Sequence, residues 1–215
     1  MSSDPFIDFY FDEQGAMYGW MFQYMLIGRG PALDMVVPPG ERVEMLARLD
    51  HIVRDRKIFC IDFWNSGVST SGCICAGRPS GYFYIDWNGN ITPCVFIPYA
   101  VDNIKSVFAR GENLNDILKT PLFKKIREWQ DQYGFKRPAA QVHNWLCPCV
   151  MRDHFAFLKQ NLMETKAQPI NPEAAAALAD VNYDQGMAKY DKDIERLTDP
   201  IWKTKYADQP ADGSA

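Results

Sequence analysis

What the sequence lacks narrows its function first. No apolar run approaches the roughly 20 residues that a membrane span needs, and 23 Lys and Arg are outnumbered by 27 Asp and Glu, for a formal net charge of −4. Without a basic excess there is no electrostatic footprint for nucleic acid. Neither nucleic acid nor a membrane is therefore expected as a partner. The opening stretch, MSSDPFIDFYFDEQG, carries neither the basic segment nor the unbroken apolar segment of a secretory signal, so a cytoplasmic, reducing location is expected. Six cysteines in 215 residues are too few for a disulfide scaffold of this length. In a reducing compartment, clustered thiols point instead to metal or redox chemistry.

The remaining composition, 47% hydrophobic, is that of a chain able to bury a core of one domain or a little more. YGWMFQYMLIG, Tyr18 to Gly28, is almost continuously apolar and predicts a strand buried on both faces. PPGERVEMLARLDHIVRDRK predicts a helix, with Val43, Leu46, Leu49 and Ile52 on one face, and IFCIDFWN a second strand. Strand, helix and strand make a βαβ unit with a parallel pair. After a GVSTSG link, YFYID and ITPCVF flank WNGN, which predicts a hairpin turning through a two-residue type I′ turn at Asn88-Gly89. NLNDILK and the segment opening at Thr120-Pro121 predict two short helices. CPCVMRDHFAFLKQNLME begins with cysteines and turns helical, and the Ala-rich, charged tail ends in a last turn from Asp199.

Cys73, Cys75 and Cys94 frame the hairpin, while Cys147 and Cys149 precede a later helix. Residues two apart in an extended segment face the same way, so each C-x-C pair can present both thiolates to one centre. Thiolates are the soft ligands that select Fe–S clusters and zinc. A single buried Cys is more often packing than ligand, and Cys60, inside a strand, is assigned to packing. The other five adjoin turns and favour a metal centre. Their spacing is not that of a zinc ribbon with two C-x-x-C knuckles. His143 and His154, near Cys147 and Cys149, invite a mixed-ligand zinc reading, though loop and helix-face histidines are usually not ligands. Tyr82, Phe83, Tyr84 and Trp87 are expected to pack on Phe123, Ile126 and Trp129.

GCICAGR, YFYIDWNGNITPCVFIPYAVDNI, LNDILKTPLFKKIREWQ and NWLCPCVMRDH, in that order, resemble the carboxyl-terminal auxiliary-cluster region of radical S-adenosylmethionine (SAM) enzymes, of the SPASM or twitch type. GWMFQYMLIGRG and FCIDFWNSG resemble the last strands of that family's partial (β/α)6 barrel. The C-x-x-x-C-x-x-C loop that binds the SAM-cleaving cluster in that family is absent from this sequence, and the family type has single cysteines where this chain has C-x-C. The resemblance implies an α/β fold, with terminal βαβ units of a partial barrel over residues 1–67. A small α+β SPASM-like domain with a β-hairpin and helices would follow over 68–165, and a helical tail over 166–215.

It further implies an auxiliary [4Fe–4S] cluster held by Cys73, Cys94 and Cys149, with Cys75 and Cys147 as candidates for a fourth ligand. S-adenosyl-L-methionine would be the cofactor of the complete enzyme, with Gln23, Tyr24, Arg29, Asp62 and Trp64 facing its cavity from barrel strand ends. The chain would then be one portion of an enzyme acting on a peptide or small-molecule substrate, unable to cleave SAM alone. A missing N-terminal barrel half would lie in the same or another polypeptide. From the residues alone, Arg29 could equally be a solvated loop charge and Asp62 a loop cap. Two other functions stay open: a zinc-stapled, non-enzymatic binding or assembly module, and a single-cluster electron-transfer protein.

Overall fold

The computed structural model describes residues 3–62 and 67–208. Helix α1 (Asp4–Ile7), continued by a π-helical turn, leads into strand β1 (Gly19–Met21), and helix α2 (Pro39–Arg54) carries the chain to strand β2 (Cys60–Asp62). β1 and β2 are parallel, with Gly19, Trp20 and Met21 opposite Cys60, Ile61 and Asp62. The expected βαβ unit is therefore present, but its first strand is three residues long and not buried on both faces. Trp20, stacked on Phe22, is 56% exposed. The inner side holds Met21 against Ile7, Ile52 and Cys60, so Cys60 is a core residue as expected. No partial barrel beyond this parallel pair is seen among the described residues.

The chain continues through α3 (Gly67–Thr70), β3 (Tyr84–Ile85), β4 (Asn90–Thr92), β5 (Tyr99–Ala100), β6 (Asp102–Asn103), α4 (Ile104–Ala109), α5 (Leu114–Ile117) and α6 (Pro121–Tyr133). It ends with α7 (Phe155–Thr165), β7 (Gln168–Pro169), α8 (Pro172–Ala179) and α9 (Val181–Trp202). β3, β4 and β6 form a small antiparallel sheet, and β5 pairs with β7. The result is a mixed α/β chain, mostly helical, with small sheets.

The hairpin is where expected, but its turn is not type I′. The amide of Gly89 donates to the Asp86 carbonyl, that of Asp86 to the Asn90 carbonyl, and Gly89 alone in the turn takes positive φ, +87°. That is a three-residue loop with a left-handed glycine at its end. The cause is Asp86, whose carboxylate accepts from the Asn88 and Asn90 amides and from the Asn90 side chain. Such an Asx turn stabilises the alternative geometry. β4 stops before Pro93, which cannot donate to a ladder.

On α6 the buried residues Leu122, Phe123, Ile126, Gln130 and Tyr133 fall at helical spacing and face the main core. Thr120 is its N-cap residue as expected, but its hydroxyl donates back to the Ile117 carbonyl instead of capping. The helix ends at Gly134, whose φ of +119° suits glycine and where a Cβ would strike Val142. Phe83 meets Phe123 edge-on at 5.8 Å, as expected, whereas Trp87 projects from the turn, 89% exposed, and packs on nothing in the core.

The tail is more ordered than its composition suggests. α9 buries Tyr183, Met187, Ile194, Thr198 and Trp202 along one face and packs on α2 and α7. Pro200 lies in its last turn and does not begin a new one. Asp191 on α9 caps α7 from outside: its Oδ2 accepts from the Phe155 amide at 3.1 Å, where His154 makes no side-chain cap.

A buried polar chain ties the βαβ unit to the segment before α7. Arg42 of α2 donates both Nη atoms to the two Asp153 oxygens, at 2.5 and 3.0 Å, and to the Leu146 carbonyl at 3.1 Å. Arg152 Nε reaches Asp153 Oδ1 at 3.2 Å and its Nη1 reaches Gln23 Oε1 at 3.0 Å, while Gln23 Nε2 donates to Asp62 Oδ2 at 2.7 Å. All five side chains are at most 7% exposed. The two guanidinium groups hold the Asp153 carboxyl well below its usual range despite burial.

Two outcomes follow. Arg42→Met leaves a buried carboxylate one partner short and is expected to lower stability by about 3–5 kcal/mol in urea unfolding; a loss below about 1 kcal/mol would show that Asp153 is solvated. The Asp191 carboxyl is pushed up to about 8 by burial and by the Asp153 charge. Its contribution to stability is complete below its unfolded value near 3.8 and is lost as pH rises through 8. His154 and Cys73, both lowered, act with the opposite sign in part of this window. The test is therefore the difference between wild type and Asp191→Asn. Wild-type stability should fall relative to the variant from pH 4 to pH 8, with a limiting slope of about 1.4 kcal/mol per pH unit, and parallel curves would refute it.

Candidate metal centre

Cys73, Cys75, Cys94 and Cys149 line one cavity of about 180 Å³, together with Tyr82, Trp20, Ile61, Ile74 and Pro148 among others. The fifth candidate, Cys147, does not. Its sulfur lies 3.9 Å from the Tyr133 hydroxyl and 3.8 Å from the Thr198 hydroxyl, on the side of α6 and α9. Each cavity cysteine is delivered by a different local device. The 73–77 segment runs beside the strand after the hairpin: the Ala76 amide donates to the Pro93 carbonyl, and the Tyr82 amide to the Ile74 carbonyl. Gly81 makes that approach feasible, since a Cβ there would lie 2.3 Å from the Ile74 carbonyl oxygen. Cys94 sits in a turn closed by the Thr92 hydroxyl and the Ile97 amide on its carbonyl.

Cys149 is placed by Asp153. The Cys149 amide donates to Asp153 Oδ2 at 3.1 Å, and the Asp153 amide returns to the Cys149 carbonyl at 2.7 Å. This closed turn is why Cys147 and Cys149 diverge. An extended C-x-C would have sent both sulfurs to one face, but Cys147 lies at a bend behind the 145–146 turn and Cys149 immediately precedes the turn over 150–153.

The sulfurs are surrounded by donors and by apolar walls. Cys73 and Cys75 have their sulfurs 3.4 Å apart. Tyr82 Oη is 2.8 Å from the Cys94 sulfur, and the Phe96 amide donates to it at 3.5 Å. Gln130 Nε2 donates to the Cys73 and Cys75 carbonyls and approaches the Cys75 sulfur at 3.7 Å. The hydrogen bond between the two thiols brings that of Cys73 down to about 6 and pushes that of Cys75 well up. Burial raises Cys94 to about 12 and drives Cys149 upward as well.

Four thiols facing one apolar space cannot all ionise there without a cation. The soft ligands on the wall are four cysteine sulfurs, and among the described residues no carboxylate or imidazole joins them, a set that fits a thiolate-bound Fe–S cluster. Among the described residues no group of three or more His, Cys, Asp or Glu is arranged to hold a single metal ion.

The other candidate positions lie elsewhere. Gln23 and Asp62 are buried in the polar chain through Arg152. Tyr24 accepts from the Ala32 amide through its hydroxyl at 3.1 Å, and Arg29 is exposed. Trp64 lies outside the described residues. His154 bonds the Cys147 carbonyl at 2.9 Å and packs on Trp129 and Tyr133, while His143 stacks on Tyr133, so neither joins the cavity. Sequence reasoning missed Arg42, Gln130 and Arg152. A signal existed for Arg42, which stands four and seven residues before Leu46 and Leu49 on the apolar face of α2.

No helix among the described residues is long and apolar enough to cross a membrane. No curated protein and no solved structure matches the chain. Residues 73–142 match the family model of SPASM, an iron–sulfur cluster-binding domain, and so include Cys73, Cys75 and Cys94, with Cys149 added from beyond the matched stretch.

Proposed function

We propose that this chain holds an auxiliary [4Fe–4S] cluster through Cys73, Cys75, Cys94 and Cys149, and that it serves as the auxiliary-cluster portion of a radical SAM enzyme. The observation that carries the first half is the convergence of four sulfurs on one apolar cavity within and beside the SPASM match. When bound, such a cluster supplies one-electron chemistry at a potential set by net charge, hydrogen bonds to sulfur and solvent exposure. The chain's own work is to exclude water with Trp20, Ile61, Ile74 and Pro148 and to donate hydrogen bonds to sulfur from Tyr82, Gln130 and the Phe96 amide. One cysteine for each iron leaves no iron for a substrate atom. The role that follows is electron acceptance from, or delivery to, a neighbouring reaction.

The second half rests on less. It is supported by the parallel β1–β2 pair ahead of the cysteine region and by Met17, Tyr18 and Phe59, which are 61–87% exposed around that pair. An unpaired strand edge with apolar neighbours favours a further element of structure. We infer that the N-terminal half of a radical SAM barrel, in the same or another polypeptide, occupies that position and brings S-adenosyl-L-methionine and a peptide or small-molecule substrate. Gln23 and Asp62 then act as supports of the cysteine loop, and the exposed Arg29, with the half-buried Tyr24, is left to face such a partner.

The deciding experiment is iron, zinc and acid-labile sulfide per chain after anaerobic reconstitution, in wild type and single Cys→Ala variants. On the order of four iron and four sulfide per chain are expected in wild type, Cys60→Ala and Cys147→Ala. Loss or conversion to a smaller cluster is expected in Cys73→Ala, Cys75→Ala, Cys94→Ala and Cys149→Ala. About one zinc and no sulfide would replace this reading with a structural zinc module, and loss on Cys147→Ala with retention on Cys75→Ala would exchange the fourth ligand.

A further inference from the structure

Arg78 is a buried cation that no carboxylate among the described residues pairs. It is 3% exposed, and its Nε and Nη1 are buried without a hydrogen-bond partner. Nη2 donates to the carbonyls of Thr70 and Gly72, two residues of the cavity wall, and the guanidinium lies 4.1 Å over the Phe135 ring. Among the described residues no carboxylate forms an ion pair with Arg78, and the negative charges that act on it are those of Cys73, Cys75 and Asp131. Asp131 is exposed on α6, leaving the sulfurs of Cys73 and Cys75, which a bound cluster would hold as thiolates, as the buried countercharge.

A guanidinium held this way is costly unless an anion compensates it. Four thiolates around a [4Fe–4S]2+ core leave two net negative charges, and one-electron reduction adds a third. A fixed cation beside the sulfurs stabilises the more negative state. We propose that Arg78 is the charge-compensating residue of the cysteine cavity and raises the reduction potential of the cluster held there. It is a positioning residue: it touches the Gly72 carbonyl next to Cys73 and acts on the cluster through charge. The two unpartnered nitrogens, Nε and Nη1, and the missing carboxylate are the features that a purely structural arginine would not show.

This inference rests on the cluster reading above, and one experiment separates the two. Full-length wild type, Arg78→Lys and Arg78→Met are reconstituted anaerobically and assayed for iron and sulfide. Each is then titrated with dithionite in the presence of mediators while the reduced-cluster EPR signal is followed, so that dithionite supplies the single electron. Arg78→Met is expected to load with cluster and to show a potential more negative than wild type, with Arg78→Lys between them and nearer to wild type. A loaded Arg78→Met with the wild-type potential overturns the role of Arg78 and leaves the cluster reading intact, as does a lysine variant displaced as far as the methionine one. Wild type without iron or sulfide overturns both. Where Arg78→Met does not fold, Arg78→Gln serves as the neutral variant. Apoprotein stability supplies a second measure: loading should stabilise wild type more than the neutral variant, and equal stabilisation counts against the proposal.

Discussion

A carboxylate buried between two guanidinium groups sets the architecture of this chain. Asp153 cannot be left without its partners, because an uncompensated charge in the core costs several kcal/mol. Arg42 comes from α2, Arg152 is its sequence neighbour, and the Cys149 amide completes its shell. Satisfying one side chain therefore fixes the distance between the βαβ unit and the cysteine loop and the direction in which Cys149 points. Arg152 extends the constraint through Gln23 to Asp62 at the end of β2. A stability argument alone would not favour such a network, since apolar replacements of similar volume often serve as well. Its use here is to specify one geometry for a loop with little regular structure.

The cavity carries the opposite electrostatic problem. Its thiols are pushed towards neutrality by burial, with Cys73 the exception that Cys75 supports. A metal cluster with a positive core reverses that preference and makes thiolate the stable form. Folding around the cavity and loading of the cavity are consequently linked processes, and Gln130 belongs to both. Its amide nitrogen joins the Cys73 and Cys75 carbonyls, so α6 holds the first two cysteines whether or not the sulfurs are ligated.

Local signals were legible in the sequence to the extent that local physics decides them. The apolar face of α2, the Pro-initiated helices and the position of the hairpin all survive in the structure, because propensity and tertiary packing agree there. What was not legible required knowledge of a distant partner. The first strand is only Gly19–Met21 because, among the described residues, one strand alone pairs with it. The turn at Asn88-Gly89 took another form because the Asp86 carboxylate captured the amides that a type I′ turn would leave to the ladder. α9, polar in composition, hides its apolar face at intervals of four and seven residues among charges and was read as a tail.

The cysteines divide along the same line. That Cys73 and Cys94 flank a hairpin is a sequence-local fact, and their convergence follows from strand pairing over about 20 residues. The choice between Cys147 and Cys149 is not local, because the two-residue periodicity that would have placed both on one face holds only in extended backbone. Here Cys147 lies at a bend and Cys149 leads into the turn over 150–153, and the residue whose amide binds Asp153 is turned to the cavity while Cys147 is left to Tyr133 and Thr198. The fourth sulfur is thus selected by a charge pair anchored on α2, in the βαβ unit. A chain that retained residues 73–142 but lost Arg42 would keep three thiols in place and lose the constraint on the fourth. On this argument the βαβ unit supports the cysteine cavity through electrostatics, although among the described residues of that unit Trp20 and Ile61 alone line the cavity wall.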